Sequence, residues 1–434
     1  MWCRVSGWPT VAGPSSNGGP VVDEVNSGMR PVEEVPRPVP LRRNRDFTLL
    51  WTGQVCSELG ASTSQLAIPL LVLGLTGSPT DAGLVGTVAL VVGAVARLPG
   101  GAVADRWDRR RLMLASDGAR LVASAGLAVA VVTGWVTVPL VVVVVAVTAV
   151  FDVVFSPAET ASVPRVVPAV QLAEAFARNE ARTYVVTLAG PPLGGLLYGV
   201  GRAVPFVADT VSYLVSLLTV AAIRSPLQDR PGQRPPQRLG ADIREGVAQV
   251  LASPFLRALL VVAAPLNLAI GGALFTTTIT LRLAGTSAGL VGAAQGLIGA
   301  GGLLGAFAAA SLQRRVSIRG LVLGVTVGLT VALAAATVLA GHLVMAVPIA
   351  VGLFLAPSAN VVLFARLAAT TPDHIQARVI SVVILAAGGA SALAPLLGDV
   401  LITQAGGRGA MSVWTAVVAI AVLAAAVTRG LRAD

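Results

Sequence analysis

From Phe47 onward the chain is a succession of long apolar runs separated by short polar connections. A run of about twenty apolar residues suffices to cross a bilayer as a helix. Inside hydrocarbon every backbone amide must be bonded within the protein, which leaves helices or closed barrels as the spanning forms. The runs read as twelve helical spans: 48–74, 82–104, 112–133, 136–157, 180–200, 204–223, 257–281, 288–311, 319–340, 343–365, 378–402 and 410–428. The breaks "TGSPTD", "DRWDRRR", "TGWVTVP" and "YGVGRAVP" carry turn or charge signals. Composition agrees: 55% of the residues are hydrophobic, only 12% are charged, and mean hydropathy is +0.81 over the whole length. Soluble domains carry about 25% charged residues.

The 434 residues divide into four segments. Residues 1–45 hold "GPSSNGGP" and "PVEEVPRPVP" and are expected to be a disordered cytoplasmic segment. No basic start, apolar core and small-residue cleavage site marks a secretory leader, and Met29, just ahead of the first basic cluster, is an alternative start. Residues 46–223 form one six-span bundle, 224–255 a linker, and 256–434 a second six-span bundle with a short tail. The linker is Pro- and Arg-rich at first. From Asp242 it reads as a short amphipathic helix lying along the membrane surface.

Arginine placement sets the orientation. The net charge is +10 and there is no lysine. With alternate connections assigned to opposite sides, 26 of the 31 arginines fall on the side of the termini, three on the other, and Arg97 and Arg120 lie within spans. The positive-inside rule then puts both termini in the cytoplasm. The same bias accounts for the basicity without nucleic acid. The abundance of Ala, Val and Gly with Arg in place of Lys suits a GC-rich bacterial genome, hence a bacterial cytoplasmic membrane.

The two bundles look like copies. "DAGLVGTVALVVGAVARLPGGAVADRWDRRRL" from Asp81 matches "SAGLVGAAQGLIGAGGLLGAFAAASLQRRVSI" from Ser287, and "PPLGG" from Pro191 matches "PLLGD" from Pro395. Parallel repeats of this type build transporters with a site between the halves.

Other classes of function find no support. Cys3 and Cys56 cannot frame a disulfide scaffold. His342 and His374 lack neighbours at metal-ligand spacing, so no metal site and no cofactor is expected. No Ser/His/Asp constellation suggests an enzyme, and no GxxxxGK[ST] loop suggests an ATP-driven pump.

Two motifs resemble those of the major facilitator superfamily. Between spans two and three, Gly101, Asp105, Arg106, Arg109, Arg110 and Arg111 match its signature, with Asp108 where a second glycine is usual. In span five "GPPLGG" resembles the motif of drug:proton antiporters through Gly190, Pro191, Gly194 and Gly195, while Val186 replaces its first glycine. Pro191 and Pro192 are expected to kink that helix. Residues 41–430 are similar to a subgroup of bacterial macrolide-efflux and siderophore-export proteins. The resemblance implies an all-α membrane fold of twelve helices in two pseudo-symmetric six-helix bundles. It implies a gate in which Asp105 holds the end of span eleven near Arg378. It implies export of an amphiphilic small molecule, such as an antibiotic, drug or siderophore, in exchange for protons by alternating access. The bilayer and protons are then the partners besides substrate, and the protein is expected to be monomeric. A proton-coupled nutrient importer and a non-transporting receptor or scaffold are the alternatives.

Charge inside a span costs about 2.5–3.5 kcal/mol on insertion scales, so each such group should face a cavity or a partner. Glu58, Asp152 and Asp209 are candidate proton carriers. Gln54, one turn before Glu58 and so on the same face, is a candidate substrate contact, while Asn267, Gln295 and Asn360 could contact substrate or bond between helices. Asp117 and Arg120, at i and i+3, should pair with each other or with the charged turn, and Arg97 should snorkel or pair with Asp152.

Overall fold

A computed structural model describes residues 40–228, 239–313, 318–357, 367 and 373–427. The compact unit that begins at Pro40 is helical throughout these residues. Its helices are α1 (Arg45–Thr76), α2 (Pro79–Arg106), α3 (Arg109–Thr133), α4 (Val138–Val166), α5 (Leu172–Val200), α6 (Val204–Ala222) and α7 (Leu239–Ala252). They continue with α8 (Pro254–Leu283), α9 (Ala288–Gln313), α10 (Ile318–Val338), α11 (Ala346–Leu353), α12 (Asp373–Ser391) and α13 (Ala394–Val427). Among the described residues nine segments are long and apolar enough to cross a membrane.

Local chemistry sets the boundaries. Asn44 caps α1 by accepting from Phe47 N at 3.1 Å, and Ser253 caps α8 by accepting from Leu256 N at 3.3 Å. Gly77 and Gly134 end α1 and α3 at φ 67° and 77°, a left-handed conformation that glycine adopts without steric cost.

Gly406 (φ 68°, ψ 177°) makes the sharp turn between expected spans eleven and twelve, inside the break read from the sequence at 403–409. Two boundaries differ from the sequence reading. Span eleven is itself broken at Ala392 and Leu393, where α12 stops and α13 starts. Most consequential, α4 extends to Val166 and α5 starts at Leu172, so residues 158–179, left between expected spans four and five, are helical apart from a turn around Ala169–Gln171. Span ten is described as α11 alone, and Asn360 lies outside the described residues. The linker helix α7 starts at Leu239 and packs on α8 and α12, with Val250 buried between them.

In the first half α1 packs on α5 and α6, α2 on α4, and α3 on α4 and α6. In the second half α8 packs on α12 and α13, and α10 on α11 and α13. The halves meet through α5 on α9 and α2 on α13. Their cores are arranged unequally along the molecule. Near the amino terminus of α1, Phe47, Leu112, Phe155 and Val220 form a core within the first half, while Leu256, Val322, Val379 and Val383 form another within the second. At the far end a single core runs across both halves, with Leu70, Val85, Val141 and Phe206 joined to Ile279, Ala288, Ile402 and Ala410. The described halves are fused at this distal end and separately packed at the proximal one.

Candidate functional site

The elongated α4 and α5 bring together charges that lie far apart in sequence. Arg182 on α5 is 6% exposed and sits between two carboxylates. Its Nη2 lies 2.9 Å from Glu58 Oε1 on α1, and its Nε donates to Glu58 Oε2 at 3.1 Å. Its Nη1 donates to Glu159 Oε1 on α4 at 2.8 Å. Glu159 is buried, whereas the Glu58 side chain keeps 33% of its surface exposed. The triad carries one more carboxylate than it has cations, and the surplus sits on the side that solvent reaches. Sequence reasoning found Glu58 but missed both partners: hydropathy ended span four at 157 and left Glu159 in a connection, and Arg182, at the edge of span five, was counted with the cytoplasmic arginines. The available signal was Glu159 and Arg182 themselves: Glu159 is seven residues after Asp152 and so on the same face of a continued helix.

A second buried network lies beside it. Arg120 pairs with Asp117 at 2.5 Å and with Asp152 across to α4. Its guanidinium also lies 4.6 Å from the Phe155 ring centroid and 4.7 Å from that of Tyr213. Ser216 Oγ donates to Asp117 at 2.7 Å and accepts from Gln54 Nε2 at 3.1 Å. The chain Gln54–Ser216–Asp117–Arg120–Asp152 thus ties α1, α6, α3 and α4 together. Asp117 and Arg120 pair as their spacing suggested, but Asp152 takes Arg120 rather than Arg97 as its partner. Asp152 is the exposed end of the chain, at 58%. Gln54 is 3% exposed and is committed to α6, so in this conformation it does not share an open surface with Glu58.

Asp209 is near enough to Arg120 and Asp152 to feel their charge, with Ser124 as its described hydrogen-bond partner. It is 4% exposed between α1, α3 and α6, accepts from Ser124 Oγ at 2.9 Å, and leaves Oδ1 without a partner. Gln295 donates to the Leu274 carbonyl at 2.9 Å and to Thr278 Oγ1 at 2.5 Å, which makes it a link between α9 and α8. Asn267 is exposed on α8 and donates to the Ala263 carbonyl at 2.8 Å.

The charged turn is anchored to its own half. Arg109 Nη1 donates to the carbonyls of Ala161 at 2.7 Å and Leu227 at 3.1 Å, and Arg110 donates to the Ala221 carbonyl at the end of α6. Asp108 accepts from Arg111 N at 2.9 Å and so caps α3, which gives the departure from glycine a physical reason. Gly101, Asp105 and Arg106 lie in helical α2, with side chains outside the described ones, as is that of Arg378.

The span-five motif lies at one of the two crossings between the halves. Helix α5 continues through Pro191 and Pro192 without interruption. Gly190 and Gly194 back onto Ser62 and Thr63 of α1, and a methyl added at Gly194 would stand 2.7 Å from the Thr63 carbonyl oxygen. Gly195 faces α9 instead, where a methyl would stand 3.0 Å from the Gly292 Cα. Backbone meets backbone here, as small residues permit.

The model of the Major Facilitator Superfamily matches residues 50–365. The chain belongs to that superfamily. Among curated proteins the chain is 27% identical over 220 residues to macrolide efflux protein A of Streptococcus pyogenes, covering 50% of this chain and 54% of that protein. It is 27% identical over 166 residues to macrolide efflux protein A of Enterococcus faecalis, covering 37% of this chain and 50% of that one. The chain spans about half the length of the curated relatives it matches. Among solved structures it resembles a bacterial homologue of the iron transporter ferroportin in an inward-facing state (TM-score 0.71, 15% identity, 88% of this chain and 98% of that one). It also resembles a D-xylose–proton symporter (TM-score 0.62, 13% identity, 89% and 98%). These likenesses show the superfamily fold: an all-α, multi-pass membrane protein of twelve helices in two bundles, in a superfamily of transporters.

Proposed function

We propose that the chain is a secondary active exporter of the bacterial cytoplasmic membrane, exchanging protons for an amphiphilic small molecule of the antibiotic, drug or siderophore type. Both termini are cytoplasmic, the halves are residues 46–223 and 256–434, and the monomer is the working unit. The observation that carries the reading is Arg182 held between Glu58 and Glu159, with Glu58 partly open to solvent. A proton on Glu58 leaves Arg182 and Glu159 as a balanced pair, so loading one proton cancels the net charge of the triad. Charge cancellation lowers the cost of closing the site away from water. When the proton leaves, Glu58 regains a charge that a substrate amine or hydroxyl can meet. Proton and substrate therefore compete for one group, which is the requirement for exchange. The names of the half-length relatives support export and a drug-like substrate.

A membrane potential of about 150 mV supplies roughly 3.5 kcal/mol per proton, at about 2.3 kcal/mol per charge per 100 mV. That sustains a gradient on the order of 300-fold for a neutral substrate. The test uses the purified chain in proteoliposomes with an imposed pH gradient, against macrolides, cationic dyes and ferric siderophores. Substrate should move opposite to protons, and Glu58→Gln should abolish that coupling. Absence of flux across the panel, or flux indifferent to pH, overturns the reading. Movement in the same direction as protons makes the chain an importer.

A further inference from the structure

The internal repeat brings its own parts face to face. The "AGLVG" segment of the second half, at the start of α9, meets "GPPLGG" of the first half on α5. The "AGLVG" segment of the first half, at the start of α2, meets "PLLGD" of the second half on α13. At the first crossing Gly195 faces Gly292. At the second, the repeat position of Gly195 holds Asp399.

Asp399 is 0% exposed. A methyl built on Gly83 of α2 would stand 2.7 Å from its Cβ and 2.7 Å from the Pro395 carbonyl oxygen, so α2 lies directly over it. Oδ1 accepts a long bond of 3.4 Å from Thr403 on its own helix, and Oδ2 has no partner. The Thr80 hydroxyl of α2 also faces the Asp399 carboxyl across the seam. The charged neighbour on α2 is Asp81, of the same sign. Helix α8 offers Phe275 and Thr276 beside Gly398, and its Arg282 is turned to the Thr286 carbonyl at 3.0 Å. The distal half of α10 contains no ionisable residue. A second tie closes the same seam. Leu396 N, one of the unpaired amides at the broken start of α13, donates to Thr87 Oγ1 of α2 at 3.0 Å.

We propose that Asp399 is a proton-binding latch of the distal seam, neutral while α2 covers it and ionised once α2 and α13 part. The reason is the cost of enclosing a carboxylate that, among the described residues, meets only threonine hydroxyls and no cation, a cost that a bound proton removes. Opening brings the carboxyl to water and closure buries it, so acid on the distal side favours the closed seam and alkali the open one. The latch stands independently of Glu58, and only its place in the cycle rests on the exporter reading. There, external protons reset the carrier after substrate has left.

Spin labels at Trp135→Cys and His342→Cys, exposed distal positions in opposite halves, report the opening in a Cys3→Ser, Cys56→Ser background. Pulsed dipolar distances in nanodiscs are read from pH 5 to 9. The long-distance population should rise with pH, by up to about tenfold in the open-to-closed ratio per pH unit. Asp399→Asn should stay at the short distance throughout, and Thr87→Val should raise the open fraction at every pH. A pH response unchanged in Asp399→Asn, or absent from the parent protein, overturns the latch. Glu58→Gln separates the two ideas: it should lose proton exchange in liposomes yet keep the pH-dependent distance, and losing the distance response as well overturns the latch's independence.

Discussion

Arg182 on α5 and Glu58 on α1 stand 2.9 Å apart, 124 residues distant in sequence, with Glu159 closing the pair from α4. Truncating the cation would leave two uncompensated carboxylates inside the bundle. Arg182→Ala should therefore destabilise the folded protein by about 3–5 kcal/mol, the usual cost of breaking a buried pair from one side. Thermal unfolding in detergent, followed by tryptophan fluorescence, measures this. Arg182→Ala combined with Glu159→Gln should recover part of the loss.

Arg120 is held by two carboxylates and two aromatic rings. Lysine provides a point charge but neither the planar face nor the forked donors. Arg120→Lys should lose at least half the stability lost by Arg120→Ala in the same unfolding assay. Full rescue by lysine would mean that charge alone holds the site.

Asp108 caps α3 through Arg111 N. Asp108→Ala should cost about 1 kcal/mol, and Asp108→Gly, which restores the superfamily's usual residue, only a few tenths. Both variants should transport at the parental rate, because the contacts described for Asp108 stay within the turn. A transport defect in Asp108→Gly at unchanged stability would show a role beyond capping.

Gly292 admits the backbone of α5. A methyl there would stand 3.0 Å from the Gly195 Cα, and the Pro191 carbonyl oxygen lies nearer still. Backbone cannot swing aside as a side chain can. Gly292→Val should force α5 from α9, costing about 1–3 kcal/mol as overpacking does. Cross-linking between cysteines placed on the two helices should fall with it.

Much of this was legible in the sequence. Apolar run length gave the helices of the first half their number and order, and the repeat "AGLVG" marked surfaces that meet between halves. Asp117 and Arg120 announced their pairing by spacing. What hydropathy could not give was where α4 ends and α5 begins. The stretch from Ala158 to Asn179 is polar enough to read as a loop, yet it continues both helices, and Glu159 within it pairs with Arg182 just beyond it. Pairing offsets part of the cost of burying each charge. A window that averages hydropathy scores each charge alone and so cuts the helix at its functional end. Gln54 misled for a related reason. Its position one turn from Glu58 was read correctly, but a helix face spans several neighbours, and Gln54 turned to Ser216 on α6 while Glu58 turned to Arg182 on α5.

The two crossings between the halves began as copies and are now mechanically different. Gliding of α5 along α9 breaks none of the hydrogen bonds described, since glycine meets glycine where Gly195 faces Gly292. Parting α2 from α13 gives up the bond from Leu396 to Thr87 and uncovers Asp399. One crossing is therefore a bearing and the other a hasp. The molecule should open like a door hung on α5 and α9, swinging furthest at α2 and α13, rather than as two equal jaws.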